Sequence, residues 1–257
     1  MIVLRDYQAD TTAEVRRRTG NLQLAVQAPT GAGKSVIMAD LLTDDIPQVV
    51  FTHRRVLLDQ LSSVLESHGV EHGFIAAGKP RNPKARIQLC MMQTHHNRTI
   101  KRDIQKIHEG CKRIHIDEIH AMRGRTMIEL IEKYRKSGAS LVGYTATPSE
   151  ISHIVDDVIV AATVPQLIDR GYLVSPQIFG PTVPDMEQVE RAKRDSSGEF
   201  QSGEMESFFK VETLFGHVVD NLLIENPDLN PTVLFAPGVK ESLGFCEKLN
   251  FEKIPAA

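Results

Sequence analysis

Short apolar runs alternate along this chain with segments in which apolar residues recur at helical spacing. Buried strands are predicted at residues 22–26, 48–52, 87–92, 113–116 and 140–144. Helices are predicted beside and between them, at residues 7–18, 36–42, 56–68, 100–108, 126–136 and 164–170. Strands that alternate with helices are typical of a mostly parallel sheet flanked by helices. We therefore predict an α/β fold for residues 1–175.

Composition narrows the class of protein without identifying it. The 257 residues are 41% hydrophobic and 25% charged, which is ordinary for a globular protein. The net charge of −3 means that any nucleic-acid binding must come from a local basic groove. Cys90, Cys111 and Cys246 form no CxxC pair, which argues against a zinc or disulfide framework and favours a reducing, cytoplasmic location. No apolar run is long enough for a membrane span, so no membrane partner is expected.

Residues 28–35 form a glycine-rich turn between a predicted strand and a predicted helix. Gly31 and Gly33 allow the backbone to turn tightly, so that several N–H groups point into one concavity that suits phosphate. In such a P-loop, Lys34 reaches the β- and γ-phosphates and the Ser35 hydroxyl holds Mg²⁺. The strict pattern has glycine where Ala28 stands, and an ordinary strand-to-helix turn is the alternative interpretation.

Two adjacent carboxylates, Asp117 and Glu118, follow the strand at residues 113–116. At this place in a P-loop fold, one carboxylate holds Mg²⁺ and the next orients or activates the attacking water. A solvated helix start is the alternative. Two hydroxyls, Thr145 and Thr147, stand at the end of the next strand and can bridge these carboxylates to a group across the cleft.

Other polar residues at element ends are weaker candidates. Gln8 lies 26 residues before Lys34, and its amide suits the edge of adenine, while Tyr7 or Arg5 can stack on the base. The cluster at residues 53–55 follows a strand and can hold nucleic-acid phosphates, although a solvated basic turn is equally compatible. Residues 93–96 contain adjacent histidines without metal-pair spacing and are predicted to form a polar loop.

The ordered set of residues 4–8, 28–35, 117–120 and 145–147 resembles the superfamily 2 helicases of the DEAD/DEAH-box type. It is most similar to the branch that contains the type III restriction subunits. These segments resemble the family's Q motif and motifs I, II and III, and alanine is common where Ala28 begins motif I. Residues 53–55 resemble the strand-contacting motif Ia, although Val56 stands where many relatives carry glutamate.

The resemblance implies ATP and Mg²⁺ as cofactors, nucleic acid as partner, with DNA favoured over RNA, and a role for each site residue. The implied catalytic residues are Glu118 as base with Lys34 and Asp117. The implied ATP-binding residues are Arg5, Tyr7, Gln8, Pro29, Thr30, Gly31, Ala32, Gly33, Lys34 and Ser35. Ser35 and Asp117 are the implied Mg²⁺ ligands. His120, Thr145 and Thr147 are implied to couple nucleotide state to a second domain. The implied nucleic-acid contacts are His53, Arg54, Arg55, Gln93 and Thr94.

The second part of the chain resembles the crossover out of the first RecA-like domain and the start of a second. We expect a linker at residues 176–210, with an exit strand at 176–179, and an incomplete second RecA-like domain at 211–257. Within it the pattern predicts a helix at 211–225, a strand at 232–236 and a helix at 239–249. The family's motifs V and VI, with their arginine finger, do not occur in these residues. In related enzymes such a finger contributes roughly 10³–10⁵ in rate.

Three functions are compatible with these motifs. The first is a nucleic-acid-dependent ATPase of helicase or translocase type, which binds Mg·ATP but hydrolyses ATP and unwinds poorly without motifs V and VI. The second is a module that binds nucleic acid or a partner and retains only ATP binding, with a second chain supplying the C-terminal motifs. The third is another P-loop ATPase or kinase, against which the residues 117–120 and 145–147 argue.

Overall fold

The computed structural model describes residues 2–18, 20, 22–52, 54–98, 110–121, 124–176, 211–236 and 238–256. Contacts between residues divide the chain after Ser175 into two compact units, Met1–Ser175 and Pro176–Ala257. The predicted helix at 100–108 and the predicted linker lie outside the described residues, apart from Pro176 at the start of the linker. Among the described residues, no helix is both long and apolar enough to cross a bilayer.

The first unit is built on one parallel sheet of seven strands, in the order β3-β4-β2-β5-β6-β1-β7. Every pairing of neighbouring strands is parallel. The strands are β1 Gln23–Gln27, β2 Gln48–Thr52, β3 His72–Ile75, β4 Ile87–Met91, β5 Arg113–Ile116, β6 Ser140–Thr145 and β7 Asp157–Val160. This architecture confirms the predicted α/β class with a mostly parallel sheet.

Six α-helices accompany the sheet in the described part of this unit. They are α1 Asp6–Arg18, α2 Lys34–Leu42, α3 Arg55–Ser67, α4 Met92–His96, α5 Arg125–Lys136 and α6 Val164–Asp169. Helices α1, α2, α3, α5 and α6 agree with the predicted helices to within two residues, and each buries part of its surface against the rest of the unit. One face of the sheet packs on α2 and α3 through Leu41 and Leu65, and the other packs on α5 through Leu130.

Three elements of the first unit differ from the prediction. The hydrophobic pattern does not predict strands β3 and β7, because β3 contains Gly73 among its four residues and β7 buries only Ile159 deeply. The predicted polar loop at residues 93–96 is wrong, since α4 is helical there and His95 and His96 are buried. His95 Nε2 lies 2.6 Å from the Tyr134 hydroxyl, and His96 Nε2 lies 2.8 Å from a Glu129 carboxylate oxygen.

A chain of buried hydrogen bonds crosses the middle of the sheet. Gln48 Nε2 donates to the carbonyl oxygens of Leu41 and Leu42, at the end of α2. Its Oε1 can therefore only accept, so His115 Nε2, 2.8 Å away, is the donor. The Tyr144 hydroxyl then donates to His115 Nδ1 across 2.9 Å. Burial, aided by the nearby Arg113 guanidinium, lowers the pKa of His115 well below its usual value and keeps the ring neutral.

Protonation of His115 is expected to destabilise the first unit in mild acid. The unfolded state binds this proton more readily than the folded state. The contribution of His115 to the free energy of unfolding is therefore complete above about pH 6.5 and is lost as the pH falls below that value. We expect the free energy of unfolding to fall by about 1 kcal/mol between pH 7 and pH 5.5 through this group. Urea unfolding of His115→Gln at both pH values should show a smaller decrease. The exposed His68→Gln control should match the wild type.

The second unit contributes two described helices, α7 Val211–Glu225 and α8 Val239–Phe251. Both agree with the predicted helices. The strand predicted at residues 232–236 is wrong, because that segment joins no sheet among the described residues. Val233 and Phe235 are 75% and 91% exposed there. Their apolar side chains produced the strand prediction, but a strand also requires a neighbouring strand to hydrogen-bond with.

Candidate nucleotide and nucleic-acid site

Apart from Arg5, Tyr7 and Gln8 at the start of α1, the predicted site residues of the first unit follow the carboxyl ends of five adjacent strands. The order β4-β2-β5-β6-β1 brings these strand ends to one edge of the sheet. The P-loop follows β1, Asp117 and Glu118 follow β5, and Thr145 ends β6. In register, Gln27 of β1 lies opposite Thr145 of β6, and the Ala28 amide donates to the Thr145 carbonyl across 2.9 Å. Ligands of open parallel sheets bind at this edge.

The loop at residues 28–35 has the backbone geometry of a phosphate-binding turn. Gly31 and Gly33 have φ angles of 83° and 79°, which glycine adopts without a steric penalty. Gly33 is the N-cap of α2, and the Ala32 amide donates to the Pro29 carbonyl across 3.1 Å. Thr30 and Ser35 are exposed on the turn. The free N–H groups and positive dipole end of α2 therefore face the mouth of this turn.

Helix α1 holds the P-loop backbone through two side chains. The Tyr7 hydroxyl and Gln8 Nε2 both donate to the Ala32 carbonyl, at 2.7 and 2.9 Å. Gln8 Oε1 accepts from the Arg5 amide at 2.9 Å. Both side chains are almost fully buried. Sequence reasoning placed these residues against the base. In the structure both side chains hold the backbone of residues 28–35, an indirect role that gives no local signal in the sequence.

Arg5 lies on the aromatic ring of Tyr172, a residue that sequence reasoning did not select. The guanidinium carbon is 4.4 Å from the ring centroid, and the Tyr7 ring is 5.7 Å from the same centroid. Tyr172 follows α6, 167 positions after Arg5 in the sequence. No sequence pattern marks this contact, because only the tertiary fold brings α6 beside α1.

The carboxylate pair after β5 meets the P-loop lysine. Lys34 Nζ lies 3.8 Å from Glu118 Oε1 and 3.4 Å from the Ala28 carbonyl oxygen. Glu118 has a φ of 49°, a left-handed conformation that costs roughly 1 kcal/mol or more for a residue with a side chain. The fold therefore holds this glutamate in a strained position beside the lysine.

A short hydrogen-bonded chain connects Glu118 to β6. The Thr145 hydroxyl donates to the Thr147 carbonyl across 2.9 Å, so it must accept from His120 Nδ1 at 2.8 Å. This assigns the proton of His120 to Nδ1. The same nitrogen lies 3.5 Å from Glu118 Oε2. The predicted coupling residues therefore form one continuous polar contact with Glu118.

Ser35 and Asp117 suit a magnesium ion in their chemistry. Both are among the residues that line one small cavity of about 20 Å³, whose other lining residues are mostly apolar side chains of α2, α3, β2 and β4. A hydroxyl and a carboxylate provide the hard oxygen ligands that Mg²⁺ prefers, and both side chains are at least partly accessible to water. The residues present thus fit the ion that the motifs imply.

The predicted nucleic-acid contacts lie beside this site, at the ends of β2 and β4. Arg54 and Arg55 are exposed at the beginning of α3, and Gln93 is exposed on α4. Thr94 is half-buried, while His53 lies outside the described residues. Strands β2 and β4 are neighbours, so these side chains share one part of the edge. The sheet order therefore places them beside the residues that follow β5, β6 and β1, and not among those residues.

The fold and the site together define a P-loop protein of the superfamily 2 helicase class. The family model for the type III restriction enzyme res subunit matches residues 1–150, more than half of the chain. The chain therefore belongs to that family. No curated protein matched in a sequence comparison.

Solved helicase structures share the fold. The helicase domain of Hef from Pyrococcus furiosus matches 97% of this chain and 53% of its own length, with 17% identity and a TM-score of 0.53. A hypothetical ATP-dependent RNA helicase from Sulfolobus tokodaii matches 62% of this chain and 53% of its own, with 19% identity and a TM-score of 0.50. The chain thus spans about half the length of these structures.

Proposed function

We propose that this chain is a nucleic-acid-dependent ATPase of helicase or translocase type that binds Mg·ATP at residues 28–35. The observation that carries the proposal is the convergence of Lys34 and Glu118, 3.8 Å apart, at the mouth of a glycine turn. Membership of the type III restriction family supports the same general function. An ordinary strand-to-helix turn does not require a glutamate in a strained backbone conformation beside a lysine.

Binding of the phosphates would use the backbone N–H groups of residues 31–35, the positive end of α2 and Lys34. Ser35 and Asp117 would hold Mg²⁺, which neutralises phosphate charge when bound. Glu118 would then accept a proton from the attacking water as general base. Its close approach to Lys34 keeps the carboxylate beside the phosphate that the lysine binds.

Coupling between nucleotide and nucleic acid would pass through His120, Thr145 and Thr147. His120 contacts both Glu118 and the Thr145 hydroxyl, so a change at the Glu118 carboxylate would affect the Thr145 hydroxyl at the end of β6. DNA is the proposed nucleic acid, on the ground of the restriction-enzyme family alone. It would lie across the ends of β2 and β4.

The proposal is tested by ATP turnover of the purified chain alone, with single-stranded DNA, with double-stranded DNA and with RNA. DNA-stimulated turnover is the expected result. If only RNA stimulates turnover, the nucleic-acid partner is RNA and not DNA. Tight DNA binding without any stimulated turnover would favour a binding module that retains only ATP binding. Phosphate transfer to a small acceptor would instead indicate a kinase.

Arg54 and Arg55 are expected to contact the phosphate backbone of the nucleic acid. Replacing each by alanine should weaken binding equally for all DNA sequences and reduce the salt dependence of log Kd by about one per residue. Fluorescence anisotropy at several salt concentrations measures both effects. Arg17→Ala, which removes an exposed arginine paired with Glu14 on α1, is the matched control. Unchanged affinity in both Arg54 and Arg55 variants would move the nucleic-acid site elsewhere.

A further inference from the structure

Three side chains, those of Arg5, Tyr7 and Tyr172, form one contact cluster beside the P-loop. The Arg5 guanidinium carbon lies 4.4 Å from the centroid of the Tyr172 ring, and the Tyr7 and Tyr172 rings meet at 56° with their centroids 5.7 Å apart. Tyr7 is buried, Tyr172 is half-buried and Arg5 is exposed. The guanidinium is therefore the solvent-accessible member of the cluster, packed on the Tyr172 ring.

This cluster is hydrogen-bonded to the glycine turn. Arg5 Nη1 donates to the Tyr7 hydroxyl across 3.4 Å, and that hydroxyl donates to the Ala32 carbonyl across 2.7 Å. A planar group attached to phosphates in the turn would thus lie within reach of the guanidinium. Because a guanidinium has two flat faces, the face turned away from Tyr172 can stack on a nucleobase.

The segment that carries Tyr172 is held against the P-loop by further contacts. Arg170 pairs with Asp6 at 2.9 Å, and Leu167 is fully buried against the α1 and P-loop residues Tyr7 and Ala32. A Cβ built on Gly31 would lie 2.9 Å from Leu173 Cδ2, so the chain after Tyr172 covers this glycine. The position of the tyrosine ring is therefore fixed relative to the turn.

We propose that Tyr172 is a positioning residue for nucleotide recognition, which holds Arg5 as a flat platform for the base of a nucleoside triphosphate. The proposal rests on the proposed nucleotide function. Tyr7 cannot serve as the platform itself, because its ring is buried and its hydroxyl is bound to Ala32. Leucine at position 172 would keep the apolar contact with Tyr7 but lose the aromatic face that orients the guanidinium.

The test compares two ligands that share phosphates but differ in the base. Calorimetry with Mg²⁺ measures the affinity of the full chain for ATP and for inorganic tripolyphosphate. Tyr172→Leu should weaken ATP binding about 2- to 30-fold, the range of a cation–π contact, and leave tripolyphosphate binding unchanged. Tyr172→Phe should behave like the wild type, since the ring is retained. Arg5→Ala should reproduce the loss in Tyr172→Leu.

Each other outcome overturns a defined part of the argument. Unchanged ATP affinity in Tyr172→Leu, or an equal loss for both ligands, would show that the ring does not serve base recognition. Wild-type affinity that is the same for ATP and tripolyphosphate would exclude a base platform but leave the phosphate site standing. Failure of the wild type to bind either ligand would overturn the nucleotide function and the platform together.

Discussion

Lys34→Ala should remove most of the affinity for Mg·ATP. The Lys34 ammonium lies at the mouth of the glycine turn, 3.4 Å from the Ala28 carbonyl and 3.8 Å from Glu118. A charge-assisted hydrogen bond contributes about 1.5–3 kcal/mol, so its loss should weaken binding by about 10- to 100-fold. Alanine favours helix, so α2 should still begin at this position. Calorimetric titration with Mg·ATP measures the change.

Lys112→Ala is the matched control for this variant. Lys112 is exposed and precedes β5, at the opposite edge of the sheet from the P-loop. The substitution makes the same change in net charge, so a general electrostatic effect would appear in both proteins. Equal ATP affinity in Lys34→Ala and the wild type would contradict a P-loop role for residues 28–35.

Glu118→Gln should separate ATP binding from hydrolysis. The substitution keeps the size of the side chain but removes the acceptor of the water proton, and general-base catalysis contributes about 10²–10⁴ in rate. It also removes the negative charge 3.8 Å from Lys34, so the ammonium loses a competitor for the phosphates. ATP affinity should therefore be kept or rise while turnover falls by at least about 100-fold.

Single-turnover hydrolysis with protein in excess over labelled ATP, in the presence of DNA, measures this fall even when the wild-type rate is low. Glu132→Gln on α5 is the control, because Glu132 is an exposed carboxylate outside the site that pairs with Arg135 at 4.0 Å. Wild-type turnover in Glu118→Gln would contradict the assignment of Glu118 as the general base.

The P-loop and the carboxylate pair could be located from the sequence because their signals are local. Gly31, Gly33 and Lys34 act through the backbone and one helix start, and Asp117 and Glu118 directly follow a strand of alternating isoleucines. The register of parallel strands then brings such residues to one edge. The roles assigned to them remain predictions, but their convergence follows from the fold.

Tertiary structure alone decided the elements and contacts that depend on distant partners. His95 and His96 on α4 are buried because they contact Tyr134 and Glu129 on α5. The segment at 232–236 contains residues that favour strands, but the described residues of its unit include no neighbouring strand. Local pattern predicts what a segment favours, while its partners determine what it forms.

The order of the strands and the contacts that support the site also depend on the tertiary structure. The sequence by itself determined the alternation of strands and helices, the glycine turn and the residues that follow each strand, since hydrophobic period and backbone freedom are local properties. Only the fold placed Tyr7 and Gln8 on the Ala32 carbonyl and Tyr172 under Arg5. Those contacts join residues far apart in the chain, so they form only when the sheet and its helices have assembled.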